Sequence, residues 1–554
     1  MRRTLPHLLL AILAFSGRAA AQIATPQGVA LSPFPVSQQP AAYKTFEDGA
    51  GGVWAVFQGA QAGSALFAQH VYSDGAYASG FSAKARAITR SGTSVNNMWA
   101  SSDGVGGAAI IWFGVNPSDS TSKFVALRLI RFDAQGDIPT TFPDTGLVVS
   151  SVASAAMVVG DGNGGCYVAW EENKGPSNPD IVAQHYNDFG TPIWTPSGSL
   201  TGRNVCAAIG IQRLHALHDD GAGGAYVVWA DSRTPSTVPL YAMRLTSAGV
   251  AGAPWISNGI RITAITPGIR IVGSSASPAG GLWLAWRDNG VPSQVAGQQI
   301  ESNASLSWGA TGAVIAATTP VRADFVPASS GDVFVTWGGA DIRCARLSST
   351  GTQRWLESAG RLLTTPPTST VNTHAVSDGA GGQRLAWSFD NAGQSDISIL
   401  RVDGAGAPWP GEPVLGNPFA TSLASEEPVA WLLANTATPL VEWLSAGVLR
   451  VRRLASGTLG VGLDGAHGGF MLAPPAPNPL RGSTLSLRFS APAGPARLDL
   501  FDAAGRRMLV RVLFSSGGSQ LMRLDEAARL APGVYTLRLT AAGHVATRQL
   551  VRVE

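Results

Sequence analysis

One phrase recurs along this chain. Asp48-Gly49-Ala50-Gly51-Gly52 leads into Val53-Trp54-Ala55-Val56-Phe57, and Asp103-Gly104-Val105-Gly106-Gly107 leads into Ile110-Ile111-Trp112. Asp161-Gly162-Asn163-Gly164-Gly165 leads into Val168-Ala169-Trp170, and the phrase returns at Asp220–Trp229 and Asp378–Trp387. Worn copies end at Trp286, Trp337 and Trp443, making eight in all. A period of roughly 50–60 residues marks a repeat architecture, in which units too small to bury their own apolar surface stack on their neighbours. The chain must fold as an array of small sheets.

Within each unit the Asp-Gly-x-Gly-Gly stretch reads as a turn. Its glycines reach φ > 0 at no steric cost, and its aspartate bonds the backbone two residues on. The following apolar run, such as Ala225-Tyr226-Val227-Val228-Trp229, lacks alternation and so reads as a strand buried on both faces. That environment suits the innermost strand of a propeller blade. A second strand follows, as in Leu66–Val71, Ile181–Tyr186, Leu240–Leu245, Ile342–Leu347 and Leu449–Leu454. A third element carries Trp194, Trp255, Trp308, Trp355 or Trp409, and a fourth starts near Gly146, Gly259 or Gly360 and runs to the next Asp-Gly turn. Four short strands per unit predict an all-β, eight-bladed β-propeller over residues 22–458. Seven blades is the runner-up, if the unit around Trp337 or Trp443 is incomplete. The mature chain opens at Gly28-Val29-Ala30-Leu31-Ser32, in phase with a late strand, whereas the last unit stops early. The two ends are therefore expected to share a blade.

Arg2 and Arg3, the apolar stretch Leu8–Phe15 and Ala19-Ala20-Ala21 read as a signal peptide over residues 1–21. The stretch is shorter than the roughly 20 residues of a spanning helix, and no transmembrane segment is expected elsewhere. Without Arg2, Arg3 and Arg18 the chain carries 36 basic and 36 acidic residues. Nucleic-acid binding, which needs a basic face, is therefore not expected. Cys166, Cys206 and Cys344 read as small buried hydrophobes rather than a disulfide or metal set.

A Gly-rich linker over 459–471 precedes a change of character. Leu485, Leu487 and Phe489 alternate, and further strands lie at Leu498–Phe501, Gly533–Leu537 and Leu550–Val553. Residues 472–554 thus predict a small Ig-like β-sandwich. Pro477-Asn478-Pro479, Phe501-Asp502-Ala503-Ala504-Gly505-Arg506, Gly533-Val534-Tyr535 and a basic last strand together make this segment resemble the C-terminal sorting domain of the type IX secretion pathway. That resemblance implies the secretion machinery as a partner and a secreted or outer-cell-surface location. The repeats themselves resemble a family of exported bacterial propeller proteins, a likeness that implies a fold and no ligand.

Catalytic motifs are absent: there is no Gly-x-Ser-x-Gly elbow, His-Glu-x-x-His or Walker loop. His215 and His218, three apart on a strand, should point to opposite faces. The repeated Asp lacks the companion oxygens of a calcium loop and reads as a turn cap. It also differs in spacing from the sialidase Asp-box. No catalytic residue, cofactor or metal site is expected. The best candidates follow each apolar strand: Glu172, Asp231 and Arg233, Arg287 and Asp288, and Asp390. If these turns share one face, they form a ring of carboxylates and arginines able to hold a glycan or protein ligand. Strand termination and pairing with nearby arginines is the structural alternative. The resulting expectation is an exported binding or cell-surface scaffold module, not an enzyme. The alternative is an extracellular polysaccharide hydrolase or lyase using channel-face carboxylates.

Overall fold

The computed structural model describes residues 28–553 apart from 37–42, 60–64, 90–94, 115–125, 174–178, 195–201, 235–236, 264–268, 289–293, 319, 321, 367–372, 392–393, 411, 413–415, 421–425, 433–439, 454–470, 473–479, 481–484, 492–493, 504–505, 516–518, 525–526, 528 and 542–543. The expected leader, most of the expected linker and Pro477-Asn478-Pro479 lie outside the described residues. Among those described, residues 29–453 form eight four-stranded antiparallel sheets. Sheet one is Tyr43–Glu47, Val53–Gln58, Leu66–Val71 and Arg86–Ala87. Sheets two to seven begin at Val95–Ser102, Ala153–Gly160, Gln212–Asp219, Ile269–Ala276, Asp324–Pro327 and Thr373–Ser377, and each runs as a meander. Sheet eight takes Glu426–Leu432, Leu440–Ser445 and Val448–Arg453 from one end of the chain and Val29–Ala30 from the other. Each first strand packs on the first strand of the next sheet, and that of sheet eight returns to sheet one. The sheets close into a ring.

The strand phase differs from the sequence reading. Where the Asp-Gly turn occurs it lies inside the sheet, between its first and second strands, so the apolar strand is second, not innermost. The element read as a single fourth strand is two strands: Leu147–Ser150 ends sheet two and Ala153–Gly160 begins sheet three. Continuous apolarity reports burial on both faces, and a second strand sandwiched between neighbouring sheets has that environment. Ala225–Asp231 is buried throughout, whereas the first strand Ile269–Ala276 mixes buried, half-buried and exposed residues. Nor do Trp194, Trp255, Trp308, Trp355 and Trp409 sit in strands. They occupy the connection between third and fourth strands, and Trp194 and Trp255 donate their indole N–H to the carbonyls of Ser247 and Ser302 in the next sheet, at 3.0 and 2.8 Å.

The repeated aspartate is a turn cap that also meets a basic side chain. Oδ1 of Asp103 accepts from the backbone N–H of Val105 and Gly107, and Asp48, Asp161, Asp220 and Asp378 accept in the same pattern. Oδ2 faces a basic side chain on the third strand: His70, Arg131, His185, Arg244 and Arg401 in the respective sheets, at 2.6–3.1 Å. The aspartates are nearly or fully buried, so each depends on its partner. In sheet five both halves change together. The turn residue is Ser277 and the third strand carries Gln299, so neither charge is left alone.

A second recurring contact sets where the outer strand begins. The indole tips of Trp112, Trp170, Trp229, Trp286, Trp337 and Trp387 press on Gly146, Gly202, Gly259, Gly312, Gly360 and Gly416, just before the fourth strand. A Cβ on any of these glycines would lie within 2.6 Å of its tryptophan ring. In sheet eight Trp443 meets Gly28 from the far end of the chain. Sheet one has Phe57 in place of the tryptophan, and its residue before the fourth strand is Ala85 at φ 58°. The smaller ring leaves room for the methyl group.

After residue 470 the described strands form a three-stranded and a four-stranded sheet. They enclose their own apolar cluster, which includes Leu487, Leu498, Leu537 and Leu550 and draws on no residue before Leu472. Asp502 caps its turn by accepting from Arg506 N–H and pairs with the Arg506 guanidinium at 2.7 Å. Among the described residues no helix is long and apolar enough to cross a membrane.

Candidate binding site

The first strands line the middle of the ring, and one register of them faces a cavity. The ladder sets Lys44 opposite Val56, Trp99 opposite Ile111, Met157 opposite Ala169 and Ala216 opposite Val228. It continues with Gly273 opposite Ala285, Asp324 opposite Thr336 and His374 opposite Ala386. In each pair the second residue directly precedes the recurring aromatic, so these seven positions are equivalent around the ring. Trp99, Gly273, Asp324 and His374 line a cavity of about 540 Å3, together with Ser274, Ser275 and Arg322. Trp99 belongs to sheet two and the others to sheets five, six and seven or the approach to them, so the cavity spans the ring.

Local chain geometry shapes this space. A register shift between Ile271 and Gly273 places an extra residue in the first strand of sheet five, and such bulges re-aim the side chains around them. Gly273 leaves its ring position empty, because a Cβ there would meet the Ala323 carbonyl at 2.1 Å. The Arg322 guanidinium donates to Asp324 Oδ1 at 2.9 and 3.1 Å, and Asp324 Oδ2 accepts from Ala375 N–H of sheet seven at 3.0 Å. Lys44 holds its ammonium 3.9 Å above the Trp99 ring centroid, a cation–π contact. Burial, and then the charge of Arg322, lower the Lys44 pKa. Burial and Arg322 also depress His374 to about 4, against a smaller opposing effect of Asp324. His374 is therefore neutral at pH 7 and can both donate and accept. His218, likewise pushed to about 4 by burial, lies 2.9 Å from the Ser274 hydroxyl and orients it toward one partner.

The residues expected to form a ring of charges are not among those lining this cavity. Glu172, Asp231 and Asp288 follow their tryptophan by two residues and Asp390 by three. Asp231 is fully buried. It accepts from the Trp229 indole at 2.8 Å and the Arg233 guanidinium at 2.6 Å. Burial would raise its pKa, but these hydrogen bonds and that of Arg233 N–H outweigh it and hold the carboxyl below its ordinary value. Arg233 also donates to Cys206 Sγ and the Asn258 carbonyl, and its guanidinium lies 4.0 Å over Tyr241. This pair is thus committed between sheets three and four. Glu172 is half-buried near the end of its strand, opposite Asp180, and Arg287 is half-buried opposite Arg270. Asp288 and Asp390 end or nearly end their strands, and their side chains lie outside the described residues.

Glu171, adjacent to one of the expected residues, ties two sheets: it accepts from Leu214 N–H at 2.9 Å and pairs with Arg213 at 2.7 Å. His215 lies near Glu171 of the preceding sheet and His218 reaches Ser274 of the following one, so the two rings face opposite ways. The three cysteines are buried and unpaired. Burial raises all three thiols, Cys206 to about 11 and Cys344 to about 12, so none is a thiolate nucleophile at neutral pH.

No family model matches this chain, and no curated protein matches it in sequence. Among solved structures it is similar to a PL25 ulvan lyase bound to -[GlcA(1-4)Rha3S]- (11% identity, TM-score 0.38, 73% of this chain and 97% of that one). It is also similar to the BP39L lectin of Burkholderia pseudomallei (14%, 0.38, 66% and 97%). A third is the β-propeller domain of the Trilobed protease of Pyrococcus furiosus, described as having an open velcro topology (8%, 0.35, 66% and 98%). These are loose likenesses, and the site stands on its own residues.

Proposed function

We propose that this chain is an exported eight-bladed β-propeller whose central cavity binds a ligand, carried to the cell surface by an Ig-like C-terminal sorting domain. The observation behind the binding reading is the makeup of the cavity. Its described lining combines an aromatic ring, hydroxyls, a neutral histidine and one cation, Arg322, with a single carboxylate, Asp324, and the Lys44 ammonium rests on the lining residue Trp99. Both oxygens of that carboxylate are already engaged. Glycoside hydrolysis needs two carboxyl groups about 5–10 Å apart, so the lining suits recognition better than hydrolysis. The separate apolar core of residues 472–550 and the capped Asp502–Arg506 turn support a tail that folds by itself.

The experiment is a glycan and peptide array probed with the mature ring and with Trp99→Ala. Binding by the parent that falls at least about tenfold in the variant, with no release of new reducing ends or unsaturated sugar, is the expected result. Turnover of a bound polysaccharide would replace this reading with the hydrolase or lyase alternative.

A further inference from the structure

The charge balance of the cavity carries the reading one step further, to the class of ligand; this step rests on the binding function proposed above. Two cations are associated with the cavity: Arg322, before sheet six, lines it, and Lys44 of sheet one rests its ammonium 3.9 Å over the ring of the lining residue Trp99. They are close enough for the charge of one to depress the ionisation of the other. Asp324 neutralises Arg322 through Oδ1. Among the described residues no carboxylate pairs with Lys44, whose ammonium rests on Trp99 instead. A half-buried ammonium without a counter-charge is costly, and an anion entering the cavity would relieve that cost.

The rest of the lining limits what kind of anion fits. Neutral His374 can both donate and accept, and the Ser274 and Ser275 hydroxyls, already bonded to His218 and the Ala276 carbonyl, keep capacity for a further polar partner, which matches ligand hydroxyls. Trp99 presents ring surface beside them, the kind of face on which a pyranose packs its C–H groups. A cavity of about 540 Å3 has room for a small ligand of a few rings. We propose that it takes an acidic saccharide unit, with a carboxylate or sulfate ester between Lys44 and Arg322 and the sugar ring against Trp99.

Calorimetric titration of the full mature chain tests this with three probes: trigalacturonate, a sulfated galactose disaccharide and neutral trigalactose. At least one acidic probe should bind about tenfold or more tighter than the neutral one, the margin expected of a charge-assisted contact. The carboxylate and sulfate arms show which anion is preferred. Lys44→Met and the exposed Arg322→Gln should each remove most of that margin while leaving the thermal unfolding midpoint near its parent value, and Lys44→Arg should retain it. Equal binding of all three sugars, abolished by Trp99→Ala, would overturn the acidic specificity and leave the binding function standing. So would a Trp99-dependent acidic peptide that outcompetes every sugar. A well-folded protein that binds nothing on the array or in the titration would remove both.

Discussion

At the scale of single residues, the informative positions are those where two side chains change together between copies. The tryptophan that presses on a glycine in seven sheets becomes Phe57 beside Ala85 in sheet one, so ring size and the permitted Cβ are set jointly. Gly259 sits at φ 76° with the Trp229 ring 2.3 Å from where its Cβ would be. Gly259→Ala should therefore cost about 2–4 kcal/mol in denaturant unfolding, from left-handed backbone strain plus overpacking. Adding Trp229→Phe should return part of that loss; additive costs would show that the two residues are not coupled. A different residue-scale feature is Glu442, fully buried with neither carboxylate oxygen hydrogen-bonded among the described residues. Burial pushes its pKa up to about 8, only slightly offset by nearby Thr45. Between the ordinary value of 4.5 and 8 the unfolded chain releases a proton that the folded chain keeps, so this group lowers stability as pH rises through that window. Glu442→Gln should be near neutral at pH 5 and stabilising by about 2–4 kcal/mol at pH 8 and above. Equal effects at both pH values would mean that Glu442 is ionised in the fold throughout.

At the scale of elements, three devices recur among the sheets: a capped turn with its basic partner in five of them, the tryptophan–glycine contact in seven, and a largely buried second strand. Sheet eight takes its fourth strand from residues 29–30, fixed by Leu31 N–H to the Leu449 carbonyl at 2.8 Å and Val36 N–H to the Gly447 carbonyl at 2.9 Å. Removing residues 22–36 deletes the buried Val29, Leu31 and Val36 and exposes Trp443, while sparing the first strand of sheet one. The shortened chain should lose about 5 kcal/mol or more and unfold at a clearly lower temperature. An unchanged midpoint would mean that the shared sheet contributes nothing to the ring. The closure was readable from the phase mismatch of the two ends. The strand order within a sheet was not, because apolarity records how many faces are covered and is silent on distance from the centre.

At the scale of the whole molecule, the ring and the C-terminal sheets bury separate sets of apolar side chains. A chain ending near Leu459 should therefore keep the melting curve of the ring, and in its host should fail to reach the cell surface. Surface display that persists while the ring loses its cooperative melt would make the tail a structural cap instead of an address. The cavity also belongs to this scale. Lys44, Trp99, Asp324 and His374 are up to 330 residues apart in sequence, and nothing local marks them as neighbours.

What the sequence alone determined is the periodic part: an all-β array of repeated sheets, the aspartate as a turn cap, the buried tryptophans and the meeting of the two ends. Each of these is dictated by short-range chemistry, glycine at φ > 0, a carboxylate beside backbone N–H groups, or an uninterrupted apolar run, repeated often enough to be recognised. The site was decided by the tertiary structure. Its signal was present, since Lys44, Trp99 and His374 each precede their Asp-Gly aspartate by four residues, but assigning those residues to an outer strand hid it. Asp324 escapes even that spacing, because the 3-10 turn Ser329–Gly331 lengthens its connection. Only closure of the ring brings one register of its sheets to a common centre, where the missing side chain of Gly273 and the Lys44 ammonium, with no carboxylate partner among the described residues, acquire a meaning that no single repeat contains.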